Sequence, residues 1–303
     1  MNQEILINEK RISAKAHIAL VLFLLYYCAL QFIIMPALVR AGFFALFSSE
    51  IGAIVFQIIM HIIPLVLYLL LTRQHPKTVL PAVPLGRKNV IYIAVITFAI
   101  ILIVLFVNHG HFNTIFNGVE PEPLELPGLR AIWIPLITFG VTTAAMEEVW
   151  YRGPLYMEYQ KRGVSIFKTA LITGVLFGIV HAGVFQVSYT ALWGILMAYM
   201  FYYTRSFLAP LLSHVIGNSF AILLDPMFLL NDYNVFWNIK QTYVLILGIL
   251  ALLMIPVAIV CMRKLIVNNP REKEAATKES MLFTLCFWAL ILVMIAGAVL
   301  FAI

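Results

Sequence analysis

The chain has 303 residues, of which 63% are hydrophobic and 11% charged, and its mean hydropathy is +0.98. That balance excludes a water-soluble globular domain, which has no use for so much apolar surface. A net charge of +6 would suit a nucleic-acid surface, but its placement along the chain speaks against one.

Apolar runs of about 18 or more residues read as membrane helices, because about 20 residues rising ~1.5 Å each cross a ~30 Å hydrocarbon core. In chain order the runs fall at 16–35, 51–72, 89–107, 131–152, 166–182, 187–203, 207–224, 242–263 and 281–303. They predict an all-α, polytopic membrane helical bundle of nine helices, or eight if the short run 187–203 is not a full span. The first run, HIALVLFLLYYCALQFIIMPAL, follows Lys10, Arg11 and Lys15. It exceeds the roughly 7–15 apolar residues of a cleaved signal and reads as a retained helix. The longest polar connections, 108–130 and 264–280, are too short for a soluble domain. One integral membrane domain over 1–303 is expected, with core helices within 131–224.

With loops assigned alternately to the two sides, Arg40, Arg130 and Lys240 are the only members of the 20 Lys and Arg on one side. Cytoplasmic loops carry the Lys/Arg excess, so the N-terminus is expected in the cytoplasm and, with nine helices, the C-terminus outside. The basic residues set topology, and no nucleic-acid partner is expected. Cys28, Cys261 and Cys286 fall in predicted spans with no metal or disulfide spacing.

An ionised side chain at the bilayer centre costs on the order of 2.5–3.5 kcal/mol even on a lenient insertion scale. The stretch AAMEEVWYRGPLY, 144–156, therefore needs a reason. Glu148 and Arg152 stand four apart, acid first, the favourable order for a pair on one helical face. Glu147 lies about 100° around the helix and must look elsewhere. Gly153-Pro154 then predicts a kink. Phe177 and His181 share a face in GVLFGIVHAG, as do His214 and Asn218 in LLSHVIGNSF. His61, a turn after Gln57, reads first as an interhelical histidine and second as a site residue.

Depth decides which of these can meet. Glu147 lies before Lys161, His181 after Lys168, and His214 and Asn218 after Arg205. Each is roughly 13–21 Å above the cytoplasmic charges at ~1.5 Å per residue. Three helices thus bring a carboxylate, two imidazoles and an amide to one layer. In a partly dry cavity that set suits water activation: a desolvated glutamate as base, imidazole and carboxamide as donors to an oxyanion. Ser213 and Ser219 have no base partner, so water is the expected nucleophile. Glu147, His181 and His214 could instead hold zinc with an open position for water, although no HExxH is present.

EEVWYR, FGIVH and HVIGN resemble, in order, the EExxxR, FxxxH and HxxxN/D motifs of the CPBP intramembrane proteases, also called the CAAX protease and bacteriocin-processing (Abi) family. The resemblance covers 131–224. It implies hydrolysis of a peptide bond in a membrane-associated or lipidated peptide or protein at the bilayer. It also implies Glu147 as the base that activates water, with Glu148 and Arg152 supporting the site. His181 would be a second water-positioning group or a ligand, and His214 and Asn218 would bind the oxyanion. The breadth of the family suggests a bacterial plasma membrane. Beside this stand a zinc-dependent use of the same site, a non-catalytic scaffold or immunity protein bound to a partner membrane protein, and a proton-coupled transporter. No inverted repeat supports the last.

Overall fold

The computed structural model describes residues 21, 25–26, 29–43, 50–115, 133–181, 184–229 and 233–271. Over these the chain is helical, with short turns and no strand. The helices are α1 (30–43), α2 (50–72), the single turn α3 (Pro76–Val79), α4 (Arg87–Ile115), α5 (136–161), α6 (Ile166–Ile179), α7 (Val184–Thr204), α8 (Leu208–Leu229) and α9 (Tyr233–Asn268). Half of the predicted run 16–35, the whole run 281–303, and Cys28 and Cys286 lie outside the described residues. The run 187–203 sits within α7, a helix of 21 residues.

This is an all-α membrane protein. Ile54–Thr72, Arg87–Phe106 and Leu245–Asn268 are long and apolar enough to cross a bilayer, and Ile166–Ile179 and Leu208–Leu223 are shorter apolar helices. Burial is inverted relative to a water-soluble fold. Ile51, Leu70, Trp133 and Leu252 are exposed, while Glu148, Arg152, Ser213 and His214 are buried. Such a surface is compatible with lipid, where a helix satisfies its own backbone and polar side chains turn inward.

Prolines shape the helices that carry the polar residues. A proline lacks the N–H for the preceding turn and its ring crowds the carbonyl there. In α2 the turn before Pro64 widens to π geometry over Ile58–Ile62. In α5 two π segments, Leu136–Thr143 and Tyr151–Leu155, bracket an α-helical stretch, Ala144–Trp150. Pro135 precedes the first and Pro154 lies within the second, where Gly153 leaves helical geometry at ψ −109°. The predicted kink is thus present. The hydroxyls of Thr142 and Thr143 follow the wide register, donating five residues back to the carbonyls of Ile137 and Thr138.

Small residues set the spacing of α6 and α7. A Cβ on Gly178 would lie 2.7 Å from both the Val187 carbonyl oxygen and the Ala191 Cβ. One on Gly174 would lie 2.6 Å from the Ile195 amide nitrogen, and Gly194 packs against the Gly174 backbone. This is the small-xxx-small packing of membrane helices.

The loops after α2, α5, α7 and α9 gather at one end of the molecule. The Phe207 amide donates to the Pro81 carbonyl at 2.7 Å, and Ser206 Oγ donates to the Val83 carbonyl. Arg271 Nε donates to the Tyr202 carbonyl, and the guanidinium lies over the Tyr202 ring. Buried Glu158 accepts from Tyr68 Oη at 2.5 Å and from Gln74 Nε2 at 3.0 Å, with Lys161 and Arg162 nearby. These contacts fasten the ends of α2 and α5 together and unite the loops that the charge pattern assigns to one side.

Gly178→Leu should force α6 from α7 and lower stability by about 1–3 kcal/mol, as overpacked sites do. A drop in the thermal unfolding midpoint in detergent would show it, with Gly86→Ala, whose Cβ meets nothing within 4 Å, leaving the midpoint unchanged.

Candidate active site

The α-helical stretch Ala144–Trp150 carries Glu147 and Glu148, and the wide turn after it carries Arg152. Glu148 and Arg152 are both fully buried, with Nε and Oε2 2.9 Å apart. Arg152 Nη2 donates to the Gly194 carbonyl of α7 at 3.2 Å, and the guanidinium carbon lies 5.7 Å from the centre of the Phe177 ring. The other oxygen of Glu148 faces α8: His214 Nδ1 lies 3.0 Å from Oε1. One carboxylate is therefore shared between a guanidinium and an imidazole drawn from another helix. Without both, its burial would be prohibitive.

His214 is itself enclosed. Phe177 and Trp193 present ring edges to it, each with centroids 5.4 Å away. Trp193 Nε1 donates to Ser213 Oγ, which also accepts from Thr97 Oγ1 at 2.7 Å. Ser213 thus has a structural task and no base beside it. With Nδ1 on Glu148, His214 turns Nε2 toward Glu147, 3.7 Å from Oε2. That is too long for a hydrogen bond but close for a charge interaction.

Glu147 has no equivalent of Arg152. Its Oε2 is buried and has no hydrogen-bond partner among the described residues. The side chain borders a cavity of about 260 Å³ lined by Phe56, Gln57, Met60, His61, Glu147, Val180 and His181. A water molecule occupies about 30 Å³ in the liquid, so several fit. His181 lies in the turn just after α6, in the cavity wall. Its Nδ1 lies 2.8 Å from the Phe177 carbonyl oxygen; when that nitrogen donates, Nε2 is left as an acceptor.

The structure brings Glu147, Glu148, Arg152 and His214 into one network and places His181 across the cavity from it. Asn218 stands apart: its Nδ2 donates to the Phe139 carbonyl of α5 at 3.1 Å, and it does not line the cavity. Gly140, where a Cβ would meet Ser219 Oγ at 3.0 Å, permits that approach of α5 to α8. Phe177 contributes packing, meeting Tyr151, His181, His214 and Arg152 around one ring. His61, read from sequence mainly as an interhelical residue, stands in the cavity wall. The depth argument already held that signal, since His61 precedes Arg73 by a distance of about 18 Å along a helix.

Zinc fits this arrangement poorly. His214 commits Nδ1 to Glu148, and no group of three His, Cys, Asp or Glu among the described residues is placed to hold a metal ion. Glu147, His181 and His214 thus do not form a ligand set as they stand.

Residues 129–220 match the family described as type II CAAX prenyl endopeptidase Rce1-like. The chain is also 28% identical over 178 residues to the "Putative membrane peptidase YdiL" of Bacillus subtilis (strain 168), spanning 56% of this chain and 70% of that relative. No solved structure matches at a comparable level.

Arg152→Met should leave Glu148 buried beside His214 alone and cost about 3–5 kcal/mol. Loss of the folded, monodisperse species in detergent, with Glu147→Gln remaining folded, is the expected result of size-exclusion and thermal unfolding measurements.

Proposed function

We propose that the chain is a member of the CPBP, or CAAX protease, family and an intramembrane endopeptidase in which Glu147 activates the water that attacks the peptide bond. The observation that carries this reading is the contrast between two adjacent carboxylates. Glu148 is ion-paired to Arg152 at 2.9 Å and bound to His214 at 3.0 Å inside the bundle, whereas Glu147 has only the 3.7 Å contact to His214 and borders a polar cavity. A base needs to reach its water, and of the two acids it is Glu147 that lines the cavity.

Glu147 takes one proton from water as the oxygen bonds to the scissile carbonyl carbon. Negative charge moves to the carbonyl oxygen. His214 is held by Glu148 through Nδ1 and presents Nε2 toward that charge. Preorganised donors of this kind, in a site with little water, stabilise the oxyanion. The second N–H of Asn218 is a further donor if substrate binding brings the carbonyl to it. When the tetrahedral adduct collapses, the C–N bond breaks and Glu147 returns its proton to the departing amine. His181 orients the water. No side chain forms a covalent intermediate.

The substrate class that suits a cavity walled by membrane helices is a membrane-associated peptide, with lipidated proteins as the narrower candidate. The gathered basic loops support a cytoplasmic N-terminus, and the B. subtilis relative supports a bacterial plasma membrane. The whole chain acts as one membrane domain in this reading.

Purified protein in lipid nanodiscs should cleave at least one member of a library of membrane-anchored and prenylated peptides. Glu147→Gln should lower kcat by about 10²–10⁴-fold, the usual contribution of a positioned base, at an unchanged unfolding midpoint. Cleavage by wild type should survive a chelator. Full activity in Glu147→Gln would end the base assignment, and loss to chelator with recovery on zinc would replace it with a metal mechanism.

A further inference from the structure

Resting on the reading of Glu147 as base, we propose that His61 is a further residue of the catalytic centre, whose imidazole accepts the second hydrogen of the attacking water. His61 is 3% exposed, and it lines the same cavity as Glu147 and His181. It stands close enough to Glu147 for the two to interact electrostatically. It thus comes from α2, a helix in which none of the recognised motifs falls.

The orientation of the ring is specific. His61 Nδ1 lies 3.1 Å from the Gln57 carbonyl oxygen, four residues back. His181 makes the same bond to Phe177. A backbone carbonyl can only accept, so both rings carry the proton on Nδ1, and Nε2 is the acceptor nitrogen. His61 occupies the wide turn Ile58–Ile62 ahead of Pro64, so its direction is set by the backbone. Its register against α5 is set lower on the same helix. Tyr68, two turns on, is bonded to Glu158 and packs edge-on against Trp150.

The chemistry calls for such an acceptor. Water brings two hydrogens, and Glu147 takes one. The other remains on oxygen through attack and becomes the acid hydrogen when the C–N bond breaks. His61 Nε2 accepts it as a hydrogen bond before attack and takes it as a proton from the new carboxylic acid afterwards. The carboxylate product and a protonated imidazole result, and solvent removes that proton. His61 is thus assigned contact with the reacting water rather than a packing task.

The test compares wild type, His61→Ala and Glu147→Gln in nanodiscs, on whichever membrane-anchored or farnesylated peptide wild type cleaves fastest. His61→Ala should lower kcat by about 10²-fold, with KM within about threefold and an unchanged unfolding midpoint. Added imidazole should restore part of the lost rate. A kcat within about threefold of wild type, or a loss that imidazole does not relieve, overturns the proposal. Glu147→Gln separates the two readings. If it is inactive while His61→Ala runs at the wild-type rate, only the role of His61 falls. If Glu147→Gln is fully active, the base assignment falls, and with it this inference.

Discussion

The division of the Glu148 carboxylate between Arg152 and His214 is the constraint on which the rest of the core depends. Both ionised partners on α5 are fully buried, where a lone charge would cost several kcal/mol. The pair survives because three further groups converge on it. His214 takes the second carboxylate oxygen, the Gly194 carbonyl takes one arm of the guanidinium, and the Phe177 ring lies beside it. Each comes from a different helix, so the network fixes α6, α7 and α8 around α5. The glycines at 174, 178 and 194 make that convergence possible by letting α7 approach α6 closely enough to bring its backbone to Arg152.

Much of this was legible in the sequence, for identifiable reasons. Glu148–Arg152 could be read from a four-residue spacing because the stretch that begins it, Ala144–Trp150, is regular α-helix. The meeting of Glu147, His181 and His214 could be read because depth in a membrane is measured from charged loops, and each helix carries such a mark. The gathering of basic loops at one end is the same signal seen from outside. The resemblance to a protease family rested on these residues too, and the match over 129–220 falls on the helices that hold them.

What escaped was rotation about the helix axes. The wide turns at Ile58–Ile62, Leu136–Thr143 and Tyr151–Leu155 each change the angular phase of everything beyond them, by up to the 100° that one residue contributes. Depth is nearly unaffected, and facing is not. For that reason the sequence left His61 between an interhelical and a site position, and only the structure shows it lining the cavity. Asn218 shows the same limit from the other side. Its spacing from His214 suggested a shared oxyanion site, but the close pass of α5 at Gly140 gives its amide to the Phe139 carbonyl. Pro64, Pro135 and Pro154 were the visible markers of the wide turns, although a proline alone does not say how far the phase moves.

The pairing of two glutamates in sequence now has a physical reading. Neighbours on a helix differ by about 100° in direction, so adjacent identical residues sample different surroundings at the same depth. Glu148 looks into the bundle, where Arg152 and His214 each take one of its oxygens. Glu147 looks at the cavity, with no arginine beside it among the described residues and His214 at 3.7 Å. His214 joins the two, with one ring nitrogen on each carboxylate. A change of charge at Glu147 is therefore felt at His214, whose other nitrogen is bound to the buried Glu148 carboxylate. Separating the acids by a full turn would put both on the same face and make them competitors for the same partners. Adjacency thus divides the surroundings: one acid binds the positive groups of the site, and the other borders the cavity, as the proposed base role requires.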